Sequence, residues 1–277
     1  MELNTKNIIK LDTISKFHAF LNEKKFKLNT IGKRLSHLRT FLNVLYRREL
    51  IDYNPFTKFR ITIPNEPSVS IALDEAELKR LSELDLASQP TFALVRDQFL
   101  AMCWTGLRIS DFRNFVNLDF GKEAIVTTIN KKTGKEAHIP ILSPLRRILE
   151  KYNGSFPRMI SEQKMRIYLK RIAEMVPEMH SNVEIQYTEG SKTKRMIMKR
   201  YQLVHLHTAR RTLATLLYRR GFEVEKIMLV TGHRTLKSLK TYLKITKKEV
   251  LNDMVVQFER QVVQDASATV SATASSE

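Results

Sequence analysis

Residues 92–106 read FALVRDQFLAMCWTG, a helical stretch that is apolar on nearly every face. A helix of that kind marks a buried core, since a surface helix needs one polar side for water. Other elements must therefore wrap it. Gly106 is placed to end it, and LRISDF opens the next turn. Cys103, inside the stretch, reads as a small buried residue. Being the only cysteine, it excludes an internal disulfide and any multi-cysteine zinc site. The chain has 277 residues, 43% of them apolar, which allows one full-sized core or a larger domain with a small companion.

Two helices are expected before that core. Residues 14–23 suggest a short one, and the span from about Asn29 to Arg48 a clearer one. Leu28, Ile31, Leu35, Leu38, Leu42 and Leu45 alternate by three and four residues and form a continuous apolar stripe. Lys33, Arg34, Arg39, Arg47 and Arg48 occupy the other faces, either as a solvated surface or as one that meets phosphate. From Tyr53 to Ser70 the text holds three prolines and no helical period, so an extended connector is expected. Asp74, three residues before Glu77, predicts a capping box and the start of a new domain.

Lys and Arg total 47 against 29 Asp and Glu, a formal charge of +18. A polyanion is the default partner for such a chain, with nucleic acid ahead of an acidic membrane surface. No run approaches the roughly 20 apolar residues of a membrane span, and the first residues lack a signal-peptide core. The expected setting is cytoplasmic, with no membrane contact.

Residues 114–141 turn to strand text, AIVTTIN and AHIPI around KKTGKE, with Thr133-Gly134 as a hairpin turn. Its lysine-rich tip is solvated or enters a DNA groove. Ser143-Pro144 starts a helix and Asn153-Gly154 stops it, and helical text covers about 161–175. Residues 183–204 alternate again, turning near Gly190, with Lys192, Lys194, Arg195, Lys199 and Arg200 set against Glu184 and Glu189. Val250, Leu251, Met254, Val255, Phe258 and Val262 form one helical stripe that needs a cover. The tail, DASATVSATASSE, has no period and no basic or large apolar residue, so disorder is expected.

Between His207 and Tyr242 lie four side chains suited to phosphate chemistry. His207 and Arg210, three residues apart, share a face near a helix start, where the positive helix end favours an anion. Gly232 reads as a helix C-cap that holds His233 at a sharp corner. Alternatives stay open for each residue taken singly. Tyr242 shares three-residue spacing with Leu236 and Leu239 and could be a core tyrosine. Arg108 and Asp111 could be a local ion pair, and His205 with His207 partners across a strand end or a metal pair. Taken together they describe a site that could break and rejoin a DNA strand with neither metal nor nucleotide cofactor: a nucleophile, guanidinium clamps for the phosphate oxygens and a proton donor.

The chain resembles the tyrosine recombinases, the phage-type integrase family. TGLRISDF is similar to the family's first arginine box, HTARRTLAT to its His-x-x-Arg box, and TGHRTLKSLKTYL to its Gly-His and tyrosine box, in the family's order and with separations of 26 and 9 residues. Strong resemblance covers about 72–246, looser resemblance 11–60. It implies Tyr242 as nucleophile, Arg108 and Arg210 as phosphate clamp, and Lys132 in the hairpin as general acid, with Lys131 and Lys135 as neighbours open to confusion with it. It further implies His207 in proton transfer around the tyrosine, His233 as hydrogen-bond donor to the scissile phosphate, and Asp111 in support. No cofactor or metal is implied.

The fold implied is mainly α with a small antiparallel β-sheet. A partial helical DNA-clamp domain would span 1–65, an α+β catalytic domain 66–246, a C-terminal helix 247–263 and a disordered tail 264–277. Lys33, Arg34, Arg39, Lys131, Lys135, Lys192, Lys194, Arg195, Lys199 and Arg200 are the expected DNA contacts. The implied partner is double-stranded DNA at an attachment or crossover site, bound by four copies joined through the C-terminal helix or with that helix packed on its own domain, and with accessory DNA-bending proteins. The clamp is shorter than the family's, either because it is reduced or because the gene starts further upstream. The basic hairpin favours an integrase of a mobile element. A dimer resolvase, a topoisomerase-like relaxation activity and a DNA-binding regulator are the competing readings.

Overall fold

The computed structural model describes residues 10–115, 125–129, 134, 136–154, 156–157, 159–246, 248–252 and 254–256. In chain order its elements are α1 (Leu11–Glu23), α2 (Leu28–Arg47), α3 (Pro55–Lys58), α4 (Glu75–Glu83), α5 (Pro90–Thr105), α6 (Ile109–Phe115), β1 (Ile125–Ile129) and β2 (Glu136–Pro140). There follow α7 (Ser143–Lys151), α8 (Glu162–Glu174), β3 (Asn182–Glu189), β4 (Lys192–Lys199), α9 (Leu206–Arg219), α10 (Val224–Thr231) and α11 (Leu236–Lys240). The architecture is mainly α with two antiparallel strand pairs, β1-β2 and β3-β4. No helix among the described residues is long and apolar enough to cross a membrane.

Two compact units form, Met1–Ser70 with Ser181–Arg200, and Ile71–His180 with Tyr201–Glu277. In the first, the leucine stripe of α2 faces α1 as the spacing predicts, and Ile14, Leu21, Ile31, Leu35 and Leu42 are buried together with Ile51. The connector is not wholly extended, because Asn54 and Pro55 start the one-turn α3. The Asn54 side chain accepts from the Phe56 amide at 3.0 Å, and proline at the first helical position lacks only an amide that would be unpaired anyway. Beyond α3 the connector crosses α2 at Gly32. A Cβ there would stand 2.0 Å from the Pro64 carbonyl oxygen, so a hydrogen is all that position accepts.

Residues 181–200 interrupt the expected 66–246 span by joining this first unit. Gly190 and Ser191 take left-handed backbone, φ 52° and 62°, the two-residue turn that suits a twisted hairpin. The hairpin end is tied down by Gly190 N donating to Phe26 O at 3.1 Å and Thr188 N donating to the Glu66 carboxylate at 3.0 Å. Glu66 is itself held by Asn29, whose side chain exchanges two 2.9 Å hydrogen bonds with its backbone.

In the second unit α5 lies at the centre, against α4, α7, α8 and α9. Val95, Phe99, Leu100, Ala101, Met102 and Cys103 are all buried, and burial pushes the Cys103 thiol well above its usual range. Two charged residues are buried among them. Asp97 accepts from Arg96 Nε at 2.8 Å, Lys151 Nζ at 2.6 Å and Tyr152 Oη at 2.7 Å, so three donors replace its water. The expected caps form: Asp74 and Glu77 make a reciprocal capping box, and Gly106 ends α5 with φ 65°. Residues 248–252 and 254–256 are helical, with Leu251, Met254, Val255 and Val256 exposed. The tip lysines 131, 132 and 135 and the tail 264–277 lie outside the described residues.

Candidate active site

The second unit gathers the residues of 105–111, 207–210 and 231–242 around one point. Gly106 allows the sharp end of α5, and a Cβ on it would meet Leu213 of α9 at 2.7 Å. That close approach lets Arg210 Nη1 donate to the Gly106 carbonyl at 2.7 Å. Arg210 is 2% exposed, and its Nε and Nη2 have no hydrogen-bond partner among the described residues. Arg108 stands on the turn after Gly106. Its Nη1 is buried and makes no hydrogen bond among the described residues, with the fully buried Asp111 carboxylate 3.8 Å away. A buried guanidinium donor left without an acceptor is costly, and here three occur on two arginines close enough to repel each other.

His233 follows Gly232, which ends α10 with φ 61°, as the sequence predicts. Thr231 decides its protonation. The Thr231 hydroxyl donates its one hydrogen to Ile227 O at 2.5 Å and lies 2.7 Å from His233 Nδ1. Toward the ring it can then only accept, so Nδ1 carries the hydrogen and Nε2 of the neutral ring presents a lone pair. Nε2 is buried and unpartnered. Burial, then Arg210 and Arg108, depress the imidazole to about 4. His207, near the start of α9, is also held below its usual value, by burial first and then by Arg211, Arg210 and Arg108. Arg210 itself is pushed down to about 10, by burial and then Arg108, and stays charged at neutral pH.

Tyr242 follows α11 and meets this cluster. Its ring centroid lies 4.5 Å from that of His233, edge-on, and 5.7 Å from the Arg210 guanidinium. The core-tyrosine alternative is partly realised, because the ring also packs against the cluster of Leu213, Leu217, Ile227 and Leu239. Two residues on, Lys244 N donates to Thr215 of α9 at 3.1 Å, which ties the segment to its own chain's helix. Nucleophile candidate and cations therefore belong to one chain.

Residues 72–249 match the phage integrase family, and residues 7–61 its SAM-like domain. The chain belongs to the phage integrase family. Tyrosine recombinase XerC of Bacillus subtilis (strain 168) is 28% identical over 242 residues, 83% of this chain and 75% of that protein. A tyrosine recombinase of Pseudothermotoga lettingae is 26% identical over 258 residues, 88% and 82% of the two chains. Among solved structures, the Tn1549 transposon integrase in complex with circular intermediate DNA shares the fold with TM-score 0.58 at 16% identity, covering 89% of this chain and 85% of that one. A lambda integrase dimer bound to a COC′ core site does so with TM-score 0.60 at 14% identity, covering 86% and 80%.

Within this integrase-family chain the structure unites Arg108, Asp111, His207, Arg210, His233 and Tyr242. The expected DNA contacts Lys33, Arg34, Arg39, Lys192, Lys194, Arg195, Lys199 and Arg200 all lie in the first unit. Among them, Arg34 lies over the Phe26 ring at 4.6 Å, Lys194 pairs with Glu189, and Arg195 stands 3.7 Å from Glu184. Sequence reasoning missed Arg211, whose guanidinium is 5.8 Å from the Tyr242 ring, and Thr231. The only signal for Arg211 was its place beside Arg210. Thr231 carried none, since its role depends on a hydrogen bond to a ring two residues on.

Proposed function

We propose that this chain is a site-specific DNA recombinase that cuts and rejoins strands through a covalent 3′-phosphotyrosine at Tyr242, in the integration or excision of a mobile element. One observation carries the reading: buried donors of Arg108 and Arg210 that lack acceptors lie beside a tyrosine. A phosphodiester supplies the missing acceptors, and a planar guanidinium fork fits it. Tyr242 Oη attacks phosphorus, the P–O5′ bond breaks, and the 5′ oxygen leaves with a proton. Arg108 and Arg210 hold the non-bridging oxygens as charge grows on them. His207, neutral at physiological pH, is suited to take the tyrosine proton. Lys132 is the proposed donor to the 5′ oxygen, and Asp111 orients Arg108. His233, with its hydrogen on Nδ1, donates to the phosphate through Nε2 only once it has become an imidazolium.

The basic first unit supports double-stranded DNA as the partner, gripped by α2 and the β3-β4 hairpin. The test uses nicked suicide duplexes taken from the DNA that flanks the gene. The native chain should form a covalent adduct in the presence of EDTA. Tyr242→Phe should form none while binding the duplex with nearly unchanged affinity. An adduct at undiminished yield in Tyr242→Phe would refute the assignment.

A further inference from the structure

A second basic cavity, of about 370 Å³, opens between α8 and the start of α9, lined by Glu162, Arg166, Lys170, His205, His207 and Arg211. Arg166 is paired with Glu162 on its own helix. Lys170 and Arg211 have no ion pair or hydrogen bond among the described residues, although Arg211 is half-buried. The positive groups face one another across the cavity. Burial, then Lys170, Arg211, Arg166 and His207 in that order, lower the His205 imidazole. A pocket with surplus cations and one acid already engaged is complementary to an anion.

Its position gives the anion's identity. Arg210 and Arg211 are consecutive on α9 and approach the same ring, at 5.7 Å and 5.8 Å from the Tyr242 centroid. Arg210 belongs to the group with Arg108 and His233, and Arg211 to the cavity with His205 and Lys170. Tyr242 thus stands at the seam between two cationic sites. A strand held in both would cross the tyrosine hydroxyl in a fixed direction, which is what in-line attack requires.

We propose that this cavity is a second phosphate seat, in which Lys170, Arg211 and His205 hold a backbone phosphate of the same DNA strand, next to the one held by Arg108 and Arg210. The assignment rests on the DNA reading above. Arg211 spans the two sites as a positioning residue, with its guanidinium carbon 5.8 Å from the Tyr242 ring centroid.

Two measurements on the full chain test it. First, titration with inorganic phosphate, followed through histidine ring protons by NMR, should move the His205 resonance to a plateau in the native chain and in a Lys79→Gln control, and far less in Lys170→Gln/Arg211→Gln. Second, the salt dependence of binding to a random-sequence duplex should flatten, its log–log slope falling by about one for each cation removed, in the double variant and by about one in Lys170→Gln alone. The single variant answers the question if Arg211→Gln fails to fold. A His205 resonance indifferent to phosphate overturns the seat. A phosphate response with an unchanged slope overturns its assignment to DNA in favour of a free-anion site. A flattened slope in a protein that forms no covalent adduct leaves the seat standing and sinks the cleavage chemistry instead.

Discussion

One hydroxyl at position 231 governs which nitrogen of His233 can meet a phosphate. Without DNA the ring is neutral at pH 7, because burial, Arg210 and Arg108 hold it near 4. The unfolded chain takes up this proton near 6.5 and the folded one only near 4, so the contribution to stability is present above about 6.5 and is lost as pH falls toward 4. A phosphate seated between the two arginines, as proposed, would offset their charge and reverse the balance. DNA binding at pH 7 should therefore take up protons, measured by calorimetry in buffers of different ionisation enthalpy, and His233→Gln should lose that uptake. Thr231→Val removes the Nδ1–H acceptor, and single-turnover cleavage should slow about tenfold, the effect of one lost hydrogen bond. Equal uptake in native and His233→Gln proteins would refute the coupling. The spacing of the His-x-x-Arg and Gly-His boxes pointed to these side chains. The tautomer depended on where the Ile227 carbonyl lies, which spacing does not give.

Helix α5 shows both how far an apolar pattern reads and where it stops. FALVRDQFLAMCWTG demands burial on all sides, and α5 is buried on all sides from Val95 to Cys103. What the pattern left unexplained is Arg96 and Asp97 in the middle of it. The answer lies in α7 and the residue after it, since Lys151 and Tyr152 complete the donor set around Asp97. Burial alone would raise the Asp97 carboxyl; hydrogen bonds from Arg96, Lys151 and Tyr152 outweigh it and hold it below the ordinary range. A depressed carboxyl stabilises the fold above its unfolded value, about pH 4, and that contribution is lost as pH falls through the lower folded value. Asp97→Asn should cost roughly 3–5 kcal/mol at pH 7 by stranding buried Arg96 and should flatten the acid limb of a stability–pH profile measured by urea melts. An unaltered acid limb would show that other carboxylates set it.

Across the whole molecule, the formal +18 charge is enough to point to a polyanion, and three boxes in order point to the family. Assembly is proposed to run through the C-terminal helix. Leu251, Met254, Val255 and Val256 are 47–62% exposed, while Arg219 and Glu249 join the start of this helical stretch to α9 at 2.7 Å. An anchored helix with an exposed apolar face is suited to pack on a neighbouring copy. Leu251→Asp should leave DNA binding by one copy intact and prevent the proposed four-copy complex on paired duplexes, as resolved by native gels or light scattering; unimpaired assembly would place the interface elsewhere. The sequence by itself determined the longer helices, the caps at Asp74, Gly106 and Gly232, and which side chains are candidates for the site, because periodicity, capping and motif spacing are local. Only the tertiary structure decided that residues 181–200 join the N-terminal unit, that Thr231 sets the His233 tautomer, and that Arg211 shares Tyr242 with Arg210. Each depends on backbone or side-chain groups that meet only after the chain has folded back on itself, and no local pattern records such meetings.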